Sequence, residues 1–325
     1  MKLPHRRQFL HLAAGAAALP AMPRLAWAQA YPSRPVRIVV GFAPGGAVDV
    51  LARLMGQWLS ERLGQPFVIE NRPGAAANIA TEVVVRAPPD GYTLLMVGAN
   101  NAISATLCQK LNFNFIRDIA PVAGINRGPN VMVVNSSVPA KTIQEFITYA
   151  KANPGKINMA SPGIGSSPHV AGELFKMMAG VDMVHVPYRG PPISDLIAGQ
   201  VQVNFGTTPA SIEYIRAGKV RALAVTSTTR SEMLPDIPTV AEFVPGYEAS
   251  FWNGLGAPSI TPAEIVGKLN REINAALADP KLKARLADLG GTAIPGLPGD
   301  FGKLIADETE KWGTVIRAAK IKAAC

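Results

Sequence analysis

The sequence predicts an α/β protein made of two doubly wound α/β domains joined by a crossing-strand hinge. Three observations predict it. Short apolar β-type runs alternate with helix-period segments from end to end, the pattern of largely parallel sheets covered by helices. Two glycine-rich strand-to-helix loops, 41–46 and 161–169, recur one in each half. A tail with little strand content of its own follows the second half, so the chain must cross between halves twice, near Val122–Asn130 and near Ser250–Gly256. Paired crossings are what a hinge requires.

The first 28 residues stand apart. Lys2, Arg6 and Arg7 form a positive n-region, Leu12–Ala21 a short small-residue apolar stretch, and Ala26-Trp27-Ala28 an A-x-A cleavage site, together an export signal peptide. Arg6-Arg7-Gln8-Phe9-Leu10 resembles the twin-arginine export signal, with His5 before the pair where Ser or Thr is usual. Of 325 residues, 48% are hydrophobic and 17% charged, the balance of a globular chain with a substantial core. No uninterrupted apolar run reaches the ~18 residues of a membrane span. Residues 1–28 carry four basic side chains and no acid, so their removal lowers the formal charge from +9 to +5. That mild excess, without a Lys/Arg block or interleaved aromatics, argues against a nucleic-acid partner; it suits small anions and is also what ordinary solubility asks.

In the first half, a β-type run ends at Gly41. The loop Phe42-Ala43-Pro44-Gly45-Gly46 follows, and a helix begins near Val48 with Leu51, Leu54, Met55, Trp58 and Leu59 at helical spacing. Next come a strand Phe67–Glu70, a helix near Ala76–Arg86, the turn Pro88-Pro89-Asp90-Gly91, and a strand Thr93–Val97 entering the polar loop Gly98-Ala99-Asn100-Asn101. The second half opens with the strand Val131–Asn135. A helix follows, capped by Thr142 and Glu145, and is stopped at Asn153-Pro154-Gly155. Strand Ile157–Ala160 then leads through a Gly/Ser loop into a helix from about Val170. The segments Met183–Val186, Ile193–Ala198, Val201–Phe205, Ser211–Ala217 and Arg221–Thr226 complete the alternation. In the tail, Phe251–Ala257 is strand-like, and Thr261-Pro262-Ala263-Glu264 starts a helix to Ala278. Helices over Pro280–Leu289 and about Asp300–Ala319 flank a short strand at Thr292–Ile294. The tail is expected to pack back on the first sheet. The domains are then 29–126 with 253–325, and 127–252.

A strand ending in a glycine loop ahead of a helix presents unpaired backbone N–H groups and a partial positive charge, a generic anion cradle. Two such cradles facing one another at the carboxyl ends of the strands converge on one cleft. Ser161, Ser166 and Ser167 add hydroxyls to the second. Enzyme signatures are missing: there is no G-x-S-x-G elbow and no GxxxxGK[ST], and Gly163-Ile164-Gly165 begins like a dinucleotide fingerprint but ends at Pro168. His169 and His185 sit in no metal-binding array. Cys108 and Cys325 are too few for a disulfide framework, though they allow one bridge in an oxidising compartment. No cofactor and no metal are expected.

Segments spanning nearly the whole exported chain resemble one family. They are YPSRPVRIVVGFAPGGAVDVLARLM, GQPFVIENRPGAAANIA, APPDGYTLL, VPAKTIQEFITYAKANPGKINMAS, HVAGELFKMMAG, VHVPYRG, GKVRALAVTS and LPDIPTVAE. The chain resembles the periplasmic solute-binding receptors of tripartite tricarboxylate transporters, the Bug family. The resemblance implies a type II-like periplasmic binding fold, no catalysis, a monomer in the periplasm, a small carboxylate ligand in the cleft and delivery to a membrane permease. A sensor reporting to a signalling partner would use the same cleft. Carried over by position, it puts Phe42, Ala43, Gly45 and Gly46 in the first binding loop, and Ser161, Gly165, Ser166, Ser167 and His169 around the second. Asn100, Gly206 and Thr207 complete the expected ligand-binding set. Asp49 matches the family's PGGxxD pattern and is read as a structural acid of the helix's first turn. Gly206 stands where family members commonly carry Asp, which argues against an amino-acid ligand. The run Tyr188–Ser194 is shorter than usual, and Cys108 replaces a usual Tyr.

Overall fold

The structure, a computed structural model, describes residues 31–108 and 110–322. The export signal and Cys325 lie outside the described residues.

The first half runs β1 (Val36–Val40), α1 (Ala47–Leu63), β2 (Phe67–Asn71), a 3₁₀ turn at Ala75–Ala77, α2 (Asn78–Val85), β3 (Thr93–Gly98), α3 (Ala99–Leu107) and α4 (Phe115–Asp118). Then comes β4 (Ile119–Asn135), a 17-residue strand. The second half continues with α5 (Ile143–Ala152), β5 (Asn158–Ser161), α6 (Ser167–Ala179), β6 (Val184–Pro187), α7 (Ile193–Ile197), β7 (Val203–Thr207), α8 (Thr208–Arg216) and β8 (Val220–Val225). The tail is β9 (Ser250–Pro258), α9 (Ala263–Ala278), α10 (Pro280–Asp288), β10 (Thr292–Ala293) and α11 (Pro298–Ala318).

The strand order is β2-β1-β3-β9-β4-β7-β5-β6, with β8 and β10 also paired to β4. β4 is the strand both halves share. From Ile119 to Pro129 it runs antiparallel to β9, and from Asn130 onward it pairs with β7 and β8. The change of partner falls at Pro129, a residue with no N–H to give to a ladder. Sequence periodicity resolves only the end of this strand, because Pro121, Gly124, Gly128 and Pro129 read as punctuation. Register shifts next to Pro121 and Gly124 absorb two of them as bulges. The second crossing is narrow: Ala249 donates to the Thr226 carbonyl at 2.9 Å, while its neighbour Ser250 already pairs with Pro129.

Burial on both faces explains the near-continuous apolar runs. In the first half Ile38, Val40, Leu94 and Met96 point to one core with Leu51, Met55, Leu269 and Ile273. Val39, Leu95 and Val97 point to the other, with Val84, Trp252 and Phe301. In the second half Met132, Val134, Met159 and Phe205 meet Phe146 and Phe175, while Val131 and Val133 meet Leu196 and Ile212.

Two elements depart from expectation. Residues 99–101 are the first turn of α3 rather than a loop. Asn101 is buried there, its Oδ1 accepting the Gly98 N–H at 2.9 Å and its amide donating to Thr81 Oγ1 at 2.9 Å. The polarity that suggests a loop is a cap. The C-terminal helix α11 packs on more than the first sheet. Phe301 and Ile305 lie in the first half's core, whereas Trp312, Val315 and Ile316 lie in the second's.

Candidate functional site

Four strand-to-helix turns open onto one cavity of about 500 Å³: β1 into α1, β3 into α3, β5 into α6 and β7 into α8. They supply Ala47 and Val48, Gly98 to Asn100, Ser166 to Pro168, and Thr207 with Pro209 to its wall. The crossing strands β4 and β9 form another side with Asn126, Phe251, Trp252 and Asn253. None of the lining residues is Lys, Arg, His, Asp or Glu. Positive potential therefore comes from helix termini, each contributing about 0.3–1 kcal/mol toward an anion, and up to ~2 when partly buried. Phe42, Leu51, Ile164, Phe251 and Leu289 make the remaining wall apolar.

The first loop is held from outside the cavity. Asp49, 2% exposed, accepts from Gly45 N–H (2.9 Å), Arg53 Nε (2.9 Å), Arg53 Nη2 (3.0 Å) and Asn71 Nδ2 (2.8 Å). The Arg53 hydrogen bonds outweigh burial and, with those from Gly45 and Asn71, hold its carboxyl at about 2. Asn71 also donates to the Phe42 carbonyl at 3.0 Å. The Gly45 amide is thus spent on Asp49, and Gly45 itself is needed for its φ of +83°. Of the expected first-loop residues only Phe42 lines the cavity; Ala43, Gly45 and Gly46 are exposed and off it. Ala47 and Val48 take their place, since the first turn of a helix is where backbone N–H groups lack partners. Asp49 has the structural role expected of it.

The second loop rests on two imidazoles. His169, 3% exposed, stacks on His185 with ring centroids 3.6 Å apart. His169 Nδ1 accepts the Gly165 N–H at 3.0 Å, and His185 Nε2 is 2.7 Å from Ser161 Oγ. Burial first, then His185 and Lys176, push His169 down to about 3; burial and Lys176 push His185 down to about 4. Both rings are neutral at pH 7. A Cβ on Gly165 would lie 2.3 Å from the Leu107 side chain, so this glycine packs the loop against α3. Ser161, Gly165 and His169 therefore support the loop from beneath and do not line the cavity, whereas Ser166 and Ser167 do.

Asn100 and Thr207 line the cavity as expected. Gly206 does not; a Cβ there would sit 2.8 Å from Ser211 Oγ, inside the packing of α8. Sequence reasoning missed the crossing-strand residues Asn126 and Asn253, joined by a 3.0 Å hydrogen bond from Asn253 Nδ2 to Asn126 Oδ1. The sequence signal was weak: Asn126 is one of three asparagines in β4, and Asn253 is the one asparagine of β9. Trp252 was missed because it reads as core. It is core, but its indole N–H reaches the buried Glu308 at 3.2 Å while the residue also lines the cavity. Among the described residues no His/Cys/Asp/Glu group is arranged to hold a metal.

The family described as Tripartite tricarboxylate transporter family receptor matches residues 51–321. Protein BugT of Bordetella pertussis is 36% identical over 302 residues, covering 91% of this chain and 93% of its own. Among solved structures, R. palustris Rpa4515 with adipate has a TM-score of 0.81 at 38% identity, covering 90% of this chain and 99% of its own. The periplasmic binding protein BugD has a TM-score of 0.77 at 34% identity, covering 90% and 99%. MatC from Rhodopseudomonas palustris with bound malate has a TM-score of 0.77 at 33% identity, covering 88% and 100%. BugD is a periplasmic binding protein, and the matched family is one of receptors rather than enzymes. With its two-half α/β fold and charge-free cleft ringed by helix termini, this chain belongs to the tripartite tricarboxylate transporter receptor family, of the Bug type.

Proposed function

We propose that the protein, exported through its twin-arginine-like signal, captures a small organic anion with at least one carboxylate in this cleft and delivers it to a tripartite tricarboxylate-type permease. It acts as a periplasmic monomer. One observation carries the reading: four helix N-termini and neutral hydroxyl and amide side chains converge on a cavity with no charged side chain. Such a site offers many N–H and O–H donors to a carboxylate and apolar wall to its carbon skeleton. The absence of an acidic side chain disfavours an ammonium-bearing ligand, and adipate and malate on the structural neighbours are acids of the expected kind.

The proposed domains are 29–126 with 253–325, and 127–252, with α11 spanning both. The cleft lies between them, so a ligand touching both sides favours the closed form and shifts an open–closed equilibrium. Calorimetry with adipate, malate and benzoate, set against phosphate and simple amines, tests the ligand class. Binding of at least one acid and of no amine is expected; binding of amines or phosphate alone refutes the reading. Co-purification of a membrane permease with the acid-loaded protein tests delivery.

A further inference from the structure

The two adjacent serines at the cleft are not equivalent. Ser166 caps α6: its Oγ donates to the Gly163 carbonyl at 2.7 Å and accepts the His169 N–H at 3.4 Å. Its one proton is spent inside the loop. Ser167 differs, because its Oγ accepts from Asn130 Nδ2 at 3.2 Å. A hydroxyl that accepts on its oxygen keeps its proton for another partner, and Ser167 faces the cavity.

Asn130 is fully buried where β4 changes partner, with its backbone N–H fixed on Thr226 Oγ1 at 2.8 Å. The other hydrogen of its amide goes to the Ala249 carbonyl at 3.2 Å, in the second crossing. That contact settles the amide's orientation. A backbone carbonyl only accepts, so a flipped amide would set two oxygens against each other. The nitrogen therefore faces both Ala249 and Ser167, although this leaves the buried Asn130 Oδ1 without a hydrogen-bond partner among the described residues.

We propose that Asn130 is a positioning residue that turns the Ser167 hydroxyl proton into the cleft, making Ser167, and not Ser166, the side-chain donor of this loop to the bound carboxylate. This rests on the reading of the cleft as a carboxylate site. The N–H received from Asn130 polarises the hydroxyl and strengthens its donation to an anion. Because the same amide holds Ala249, the donor is set by the backbone at both crossings.

The test is a double-mutant cycle on the purified protein, with calorimetry against adipate, malate and benzoate and a thermal melt of each variant. Ser167→Ala is expected to weaken the acid that binds by tenfold or more, and Ser166→Ala by less than Ser167→Ala. Asn130→Ala is expected to weaken binding about tenfold in the wild-type background and less than twofold in Ser167→Ala, since its effect acts through that hydroxyl. The thermal melts check that each variant remains folded at the temperature of the titration. An equal loss of affinity in both backgrounds means a merely structural Asn130 and overturns the proposal. If Asn130→Ala does not fold, the serine pair decides, and a larger loss from Ser166→Ala than from Ser167→Ala overturns it. If the wild-type protein binds none of the three acids, the carboxylate reading itself falls and this proposal with it.

Discussion

The stacked imidazoles beneath the second loop make acid the sharpest perturbation available. His169 and His185 are held at about 3 and about 4, chiefly by burial, against an ordinary value of 6.5. A lowered folded-state pKa means that the unfolded chain binds the extra proton first. The stability each neutral ring contributes is complete above about pH 6.5 and is lost as pH falls toward the folded values. With those values, each ring's contribution falls by about 2 kcal/mol between pH 7.5 and 5. Glu173 lies 3.8 Å from His169 Nε2 and pairs with Lys176 at 3.0 Å on α6, so the charges flanking the pair are of opposite sign. His185→Gln keeps a side chain able to reach Ser161 and removes one titration. Denaturant unfolding at pH 7.5 and 5.0 is the assay, and the variant should lose about 2 kcal/mol less than the wild type across that interval. An equal loss in both proteins would refute the assignment of acid sensitivity to this pair.

Two further outcomes follow from buried acids. Asp49→Ala leaves the Gly45 amide, Asn71 and Arg53 without their shared acceptor; it should cost about 1–3 kcal/mol by denaturant unfolding and weaken carboxylate binding through the displaced first turn of α1. Glu308, 4% exposed, accepts from the indoles of Trp252 (3.2 Å) and Trp312 (2.8 Å) and pairs with Lys311; Glu308→Ala should cost about 3 kcal/mol and alter tryptophan fluorescence, with Glu308→Gln milder because its amide oxygen still accepts.

The fold was legible because the central strands β1, β3 and β9 are largely buried on both faces and read as near-continuous apolar runs. What escaped was structure written in polar residues. Asn100-Asn101 reads as a loop, and only the bond from Gly98 to Asn101 Oδ1 shows it to be a capped helix start. β4 escaped because its prolines and glycines, which look like breaks, mark bulges and a change of partner. The two cradles were legible as strand–glycine–helix turns, but which of their residues face the cavity was not. Periodicity cannot say that the Gly45 amide turns back to Asp49, or that His169 lies under its loop rather than in it. Those facts depend on Arg53, Asn71 and His185, the last two lying 22 residues or 16 residues away in sequence from the groups they help to hold.

The two loops thus reach the same end by opposite means. The first is fixed by an ion pair on its outer side, with Asp49 kept ionised down to about pH 2. The second is fixed by neutral rings that acid can charge at higher pH. Neither puts a charged side chain into the cavity, so the field there is left to helix termini and hydroxyl dipoles, which do not titrate. Falling pH must therefore act on the second loop before the first. It does so not by neutralising a ligand-binding cation, since none lines the cleft, but by loosening the imidazole support on which the Gly163–Ser166 turn rests.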